Sequence, residues 1–184
     1  MPQSTVFDQA FVLFENGQST CIRYDAVRTF HMDGNFAMLA VAFVGLQGAL
    51  QRLAVATHGH MSRHAVQVVT GHPGTGVRDA FEYITRAVTR SAYVLDKAQP
   101  YARLNPHADF SYSWIVVAGP CSVLCQVRDG VLPERFYELF GLARSGGLDE
   151  HTRQEFDALK CDIEARVLAL APEDVLDFME CPAP

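Results

Sequence analysis

Lysine is almost missing from this chain. Of 184 residues only Lys97 and Lys160 are lysine, and the net charge is −6 with 15 cationic against 21 anionic residues. No basic run stands out, so the footprint that phosphate-backbone binding requires is not there, and nucleic acid is excluded as an expected partner. Cysteine is sparse, and the five present are far apart at Cys21, Cys121, Cys125, Cys161 and Cys181. A secreted disulfide scaffold is shorter and denser in cysteine, so the expected location is the cytoplasm. The first residues, Met1 to Asp8, lack the basic start and apolar run of a signal peptide. The longest uncharged apolar stretch, Phe36 to Leu50, is short of the roughly 20 residues a bilayer needs, so it reads as a buried core helix and no membrane partner is expected. Internal repeats, low-complexity runs, a Walker loop, a GxGxxG fingerprint and a nucleophile elbow are all missing from the sequence.

What is present is the balance of an ordinary folded domain, 49% hydrophobic and 20% charged. One domain over 1–178 is expected, with 179–184 as a frayed tail. Val6 to Phe14, then Asn16-Gly17, then Thr20 to Arg23 reads as a hairpin. Asp33 or Asn35 is placed to cap a helix over 34–53. Ala65 to Val69 reads as a strand, and Val77, Phe81, Ile84 and Val88 predict a helix over 77–90. Further strands are expected at 93–95, 111–118 and 123–127. Pro133 opens a helix that Gly146-Gly147 ends. Phe156, Leu159, Ile163, Val167 and Leu170 predict an amphipathic helix over 149–170, with Asp157, Asp162 and Glu164 on its solvated face. The fold class is therefore α+β. A mixed, mainly antiparallel sheet packs against helices, among them a long buried N-terminal helix and a C-terminal amphipathic one.

Histidine supplies the chemistry. Five of the seven, His31, His58, His60, His64 and His72, lie between residues 31 and 72. Neutral imidazole is a good metal donor near pH 7, and several imidazoles with a carboxylate suit zinc or another divalent first-row ion. The bland alternative is a set of surface or capping histidines. One ion shared by His60 or His64 with His72 needs a sharp bend or a second chain, because the strand between them spans roughly 17–20 Å. The Gly71–Gly76 loop opens a helix but matches no phosphate-binding motif, so a tight turn is its ordinary reading.

Two segments resemble the FmdE-like family, named for one of the subunits of formylmethanofuran dehydrogenase. The first is Phe30-His31-Met32-Asp33-Gly34-Asn35-Phe36-Ala37 leading into the apolar helix. The second is Met61 to Gly76, with the core Ala65-Val66-Gln67-Val68-Val69-Thr70-Gly71. The stretch Leu170 to Phe178 is similar to the family's ending. The family's motif cysteines are replaced: Asp33 or Asn35 stands for one, Met61 for another and His72 for a third, while His64 takes the place of an aspartate. The resemblance implies a homodimeric α+β metal-binding protein with a site of altered, harder character. His31, Asp33, His64 and His72 are the implied ligands of a divalent transition metal, zinc first, with His60 in reserve. A metal with an open position would make it a metal-dependent enzyme, acting as Lewis acid or water activator. The alternative it implies is a non-catalytic accessory or cofactor-binding component of a larger molybdenum- or tungsten-type oxidoreductase complex.

Overall fold

The computed structural model describes residues 9–15, 18–59 and 62–182, and the fold is α+β. Strands β1 (Ala10–Glu15) and β2 (Gln18–Arg23) form an antiparallel ribbon in which Glu15 faces Gln18. That register leaves two residues for the turn, the length that Asn-Gly favours, although Asn16 and Gly17 lie outside the described residues. A second sheet has the order β4-β3-β5-β6-β7, built from β3 (Gln67–Thr70), β4 (Tyr93–Leu95), β5 (Ser113–Ala118), β6 (Cys121–Val127) and β7 (Leu176–Glu180). Only β3 and β4 run parallel; the other three pairings are antiparallel.

Helix α1 (Tyr24–His31) follows the ribbon directly, and α2 (Phe36–Ala56) follows after a four-residue turn. With no charge before Arg52, α2 has no polar stripe to offer water, so it is buried on nearly every side. It packs against the sheet, against α3 (Thr75–Thr85) and against α5 (Glu150–Leu168). Gly45 makes this approach possible: a Cβ there would stand 2.6 Å from the Trp114 ring. By length and composition α2 is apolar enough to cross a bilayer, but 72% of its most apolar window is buried inside the protein. At 21 residues it is longer than the uncharged run that marks it, because the helix continues through Gln51 and Arg52.

Helix α4 (Glu134–Ser145) begins just after Pro133, which is the N-cap rather than the first helical residue, and stops at left-handed Gly146. The one-turn α6 (Pro172–Val175) leads into β7. Several boundaries differ from expectation. Residues 63–65 form a 3-10 turn, so β3 begins at Gln67. Helix α3 starts two residues early and stops at Arg86, whose left-handed backbone bonds to Glu82 O, so Val88 falls outside it. The side chain of Asn35 makes no cap bond at α2. Strand β7 is an addition to the expected elements, and it takes in Met179 and Glu180, which the sequence pattern assigns to the tail. Its short apolar alternation, Leu176 and Phe178, gains meaning only beside β6.

An aromatic cluster of Phe110, Tyr112, Phe136, Tyr137, Phe140 and Phe156 joins α4 and α5 to the segment that leads into β5. The Tyr137 hydroxyl is buried there with no hydrogen-bond partner among the described residues. Burial also pushes its phenol well above the usual range. A buried hydroxyl without a partner costs desolvation free energy. Tyr137→Phe is therefore expected to raise stability by about 0.5–1 kcal/mol, read as an increased denaturation midpoint at unchanged slope. A lowered midpoint would instead reveal a water bonded to that hydroxyl.

Candidate functional site

The inner stripe of α1 is polar. Tyr24, Arg28 and His31 recur at helical spacing, and each meets a carboxylate on another helix. Glu164, on α5, is 1% exposed. One of its oxygens accepts from Tyr24 Oη at 2.7 Å and from Arg28 Nε at 2.8 Å. Burial and the neighbouring carboxylate hold the Tyr24 phenol far above its ordinary range. Glu164 is thus no part of a solvated face. It is the inward anchor of α1, and Arg28 also lies over the Phe36 ring at 3.7 Å.

His31 closes α1, whose last turn ends because Met32 adopts a left-handed backbone. The His31 side chain is fully enclosed, and its Nδ1 lies 2.8 Å from Asp79 Oδ2 on α3. A carboxylate oxygen only accepts, so Nδ1 carries the proton and donates. In the neutral ring the other nitrogen, Nε2, is then the lone-pair atom, and it is buried without a partner among the described residues. Phe36 stands nearly perpendicular to the imidazole, with centroids 6.0 Å apart.

Asp33, two residues on, accepts a bond from Thr75 Oγ1 at 3.0 Å. Thr75 and Asp79 are one helical turn apart on α3, so one face of that helix holds both His31 and Asp33. Neither α3 residue stands out in the sequence. Thr75 reads as turn, and Asp79 falls off the apolar spacing of α3, as any solvated residue does.

The remaining expected ligands are elsewhere or already engaged. His64 is exposed on the 3-10 turn, where its backbone amide bonds to Ser62 Oγ at 3.3 Å. His60 lies outside the described residues. His72 is 3% exposed, with its ring against Phe110 and Tyr112 at 4.9 and 5.0 Å. Its Nδ1 accepts from the Gly74 amide at 3.0 Å, so the ring proton sits on Nε2 and no lone pair is free for an ion. Burial lowers the His72 pKa to about 3, which keeps the ring neutral. Its neighbours show it bracing the Gly71–Gly76 turn. Among the described residues no three His, Cys, Asp or Glu side chains come together as a metal-binding group. His31 and Asp33 share a neighbourhood; His64 and His72 are not gathered with them into one set.

A cavity of about 390 Å³ opens at the far end of α2, lined by Arg52, Cys121, Phe178 and Cys181 among others, and none of His31, Asp33, His64 and His72 is on its wall. Arg52 is held there by Glu173 at 2.9 Å and lies over Phe178. No protein-family model matches the chain, and no curated protein matches it either.

Proposed function

We propose that this protein binds a divalent transition metal, zinc most readily, through His31 Nε2, with Asp79 fixing the ring. One observation carries the reading: an enclosed imidazole whose Nδ1 is committed to a carboxylate while Nε2 has no partner among the described residues. That is how metal-ligating histidines are prepared, because the carboxylate sets the tautomer and raises the basicity of the free nitrogen. An N/O donor set with His31 and nearby Asp33 suits zinc over softer ions. The remaining coordination positions fall to solvent or to a second copy of the chain, so a homodimer belongs to the proposal. A site with water in an open position would act as a Lewis acid or water activator. Five free thiols agree with a cytoplasmic location. The resemblance to the FmdE-like family points the same way and is part of this reading.

The test is elemental analysis and zinc calorimetry on protein purified without an affinity tag. About one ion per chain is expected, lost in His31→Ala with far-ultraviolet circular dichroism unchanged. Asp79→Asn is expected to weaken binding by about 10–100-fold. No stoichiometric metal after equilibration with zinc, or full binding by His31→Ala, overturns the reading. Co-purification of a metal-free chain with a larger oxidoreductase would favour an accessory role in that complex instead.

A further inference from the structure

The cavity at the far end of α2 does not stand alone. A second cavity of about 380 Å³ adjoins it, and the two share Ala56, Pro120 and Cys121 as common wall. Each falls within the size range of small-molecule sites, about 300–1,000 Å³. They differ in character. The second is lined by small residues such as Ala65, Ala118 and Gly119 and, among the described residues, by no charged side chain. The first holds Arg52, the single charge among the 21 residues of α2, and Phe178, whose ring the guanidinium covers at 4.1 Å. Of the five guanidinium N–H groups, two have partners among the described residues: Nη1 donates to Gly48 O at 3.0 Å and Nη2 to Glu173 at 2.9 Å. The others remain to meet an anion, and a carboxylate matches the guanidinium fork best. Exposed Glu180 is the one acid on that wall, so an anionic head has only the Arg52 end to settle at.

We propose that the two cavities form one elongated site for a medium-chain carboxylic acid. The carboxylate bonds to Arg52, and the alkyl chain passes Ala56, Pro120 and Cys121 into the uncharged cavity. Burial of the chain supplies affinity, and the guanidinium sets its direction. The site shares no residue with His31 and its partners, and it does not depend on metal binding.

Cysteines on and off the wall make the test direct. Cys121 and Cys181 line the site, whereas Cys21 and Cys161 are exposed elsewhere. Iodoacetamide alkylation of the full-length protein, followed by peptide mass spectrometry, gives a rate for each thiol. Octanoate at about four times its Kd is expected to slow Cys121 about fivefold, because only the empty fraction reacts. Cys181 should slow with it, and Cys21 and Cys161 should not. Acetate, a head without a chain, and 1-octanol, a chain without a head, are each expected to bind at least about tenfold more weakly. Arg52→Gln is expected to raise the octanoate Kd about tenfold and to leave 1-octanol unchanged. Ala56 is exposed, so Ala56→Leu narrows the shared passage without entering the core. It is expected to weaken octanoate and spare acetate, and it carries the test if Arg52→Gln fails to fold. Protection by 1-octanol equal to that by octanoate, or an unchanged octanoate Kd in folded Arg52→Gln, overturns the carboxylate head. No protection by octanoate, equal slowing at Cys161, or an unchanged octanoate Kd in Ala56→Leu overturns the site.

Discussion

Glu164→Ala is expected to destabilise the protein by about 3 kcal/mol, the lower end of the 3–5 kcal/mol range for breaking a buried ion pair. The carboxylate is enclosed and accepts two bonds on one oxygen, from Tyr24 and Arg28. Its loss takes from Tyr24 and Arg28 the buried acceptor that they share. The guanidinium is 34% exposed, so water restores part of its solvation, which puts the expectation at the low end. Glu164→Gln keeps an acceptor oxygen and should cost less than half as much. Replacing all three partners by apolar residues of similar volume should recover most of the loss. Urea titrations of the four proteins are the measurement. A loss below about 1 kcal/mol in Glu164→Ala would show that α1 is not held by this contact.

Acid should weaken the fold from an unusually high pH, and His72 is the reason. Its folded pKa is about 3, against an ordinary value of 6.5. Between those values the unfolded chain binds a proton that the folded chain refuses, so stability is complete above about 6.5 and falls as pH drops. The expected slope is about 1.4 kcal/mol per pH unit for one proton. Carboxylates held below their usual range, such as Asp149 at the α5 cap and Glu155 beside Arg135, add losses of the same sign. Those fall near and below pH ~4, so the window from about 6.5 to 5 isolates the imidazole. His72→Asn retains an oxygen that can accept from the Gly74 amide and has no proton to bind. Its urea midpoint should be lower at pH ~7.5 but flatter across that window. An unchanged slope in the variant would show that His72 titrates normally in the fold.

These two residues also mark the limit of what the sequence makes legible. The long apolar helix is legible because a segment with no charge from Phe36 to Gln51 has only the interior to go to. The strand at Ser113–Ala118 is legible from its aromatic and β-branched residues. Glu164 is not, because a carboxylate on a charged helix becomes an anchor only when Tyr24 and Arg28 arrive from about 140 residues away in sequence. At the candidate site, His31 is visible as one histidine of a cluster. Its distinguishing property, one committed nitrogen and one without a partner among the described residues, depends on Asp79 across a helix interface. His72 draws attention for the same reason as His31, and the backbone of its own loop claims it. Histidine density locates the neighbourhood without saying which rings face inward or what meets them.

Helix α2 and strand β7 together set a schedule for the protein's birth. The helix leaves the ribosome early, while the parts that cover it include α5 and the segment around Leu176, whose side chain lies against Gly45. About 120 residues must be added after α2 before Leu176 exists. At ~5–20 residues per second that is roughly 6–24 s with the most apolar segment of the chain only partly covered. A nascent chain in that interval resembles an aggregation-prone intermediate more than a partly finished domain. A message cut short before the codon for Leu176 would make the exposure permanent. Production of this protein should therefore depend on helpers that shield apolar segments during translation, far more than its native surface would suggest.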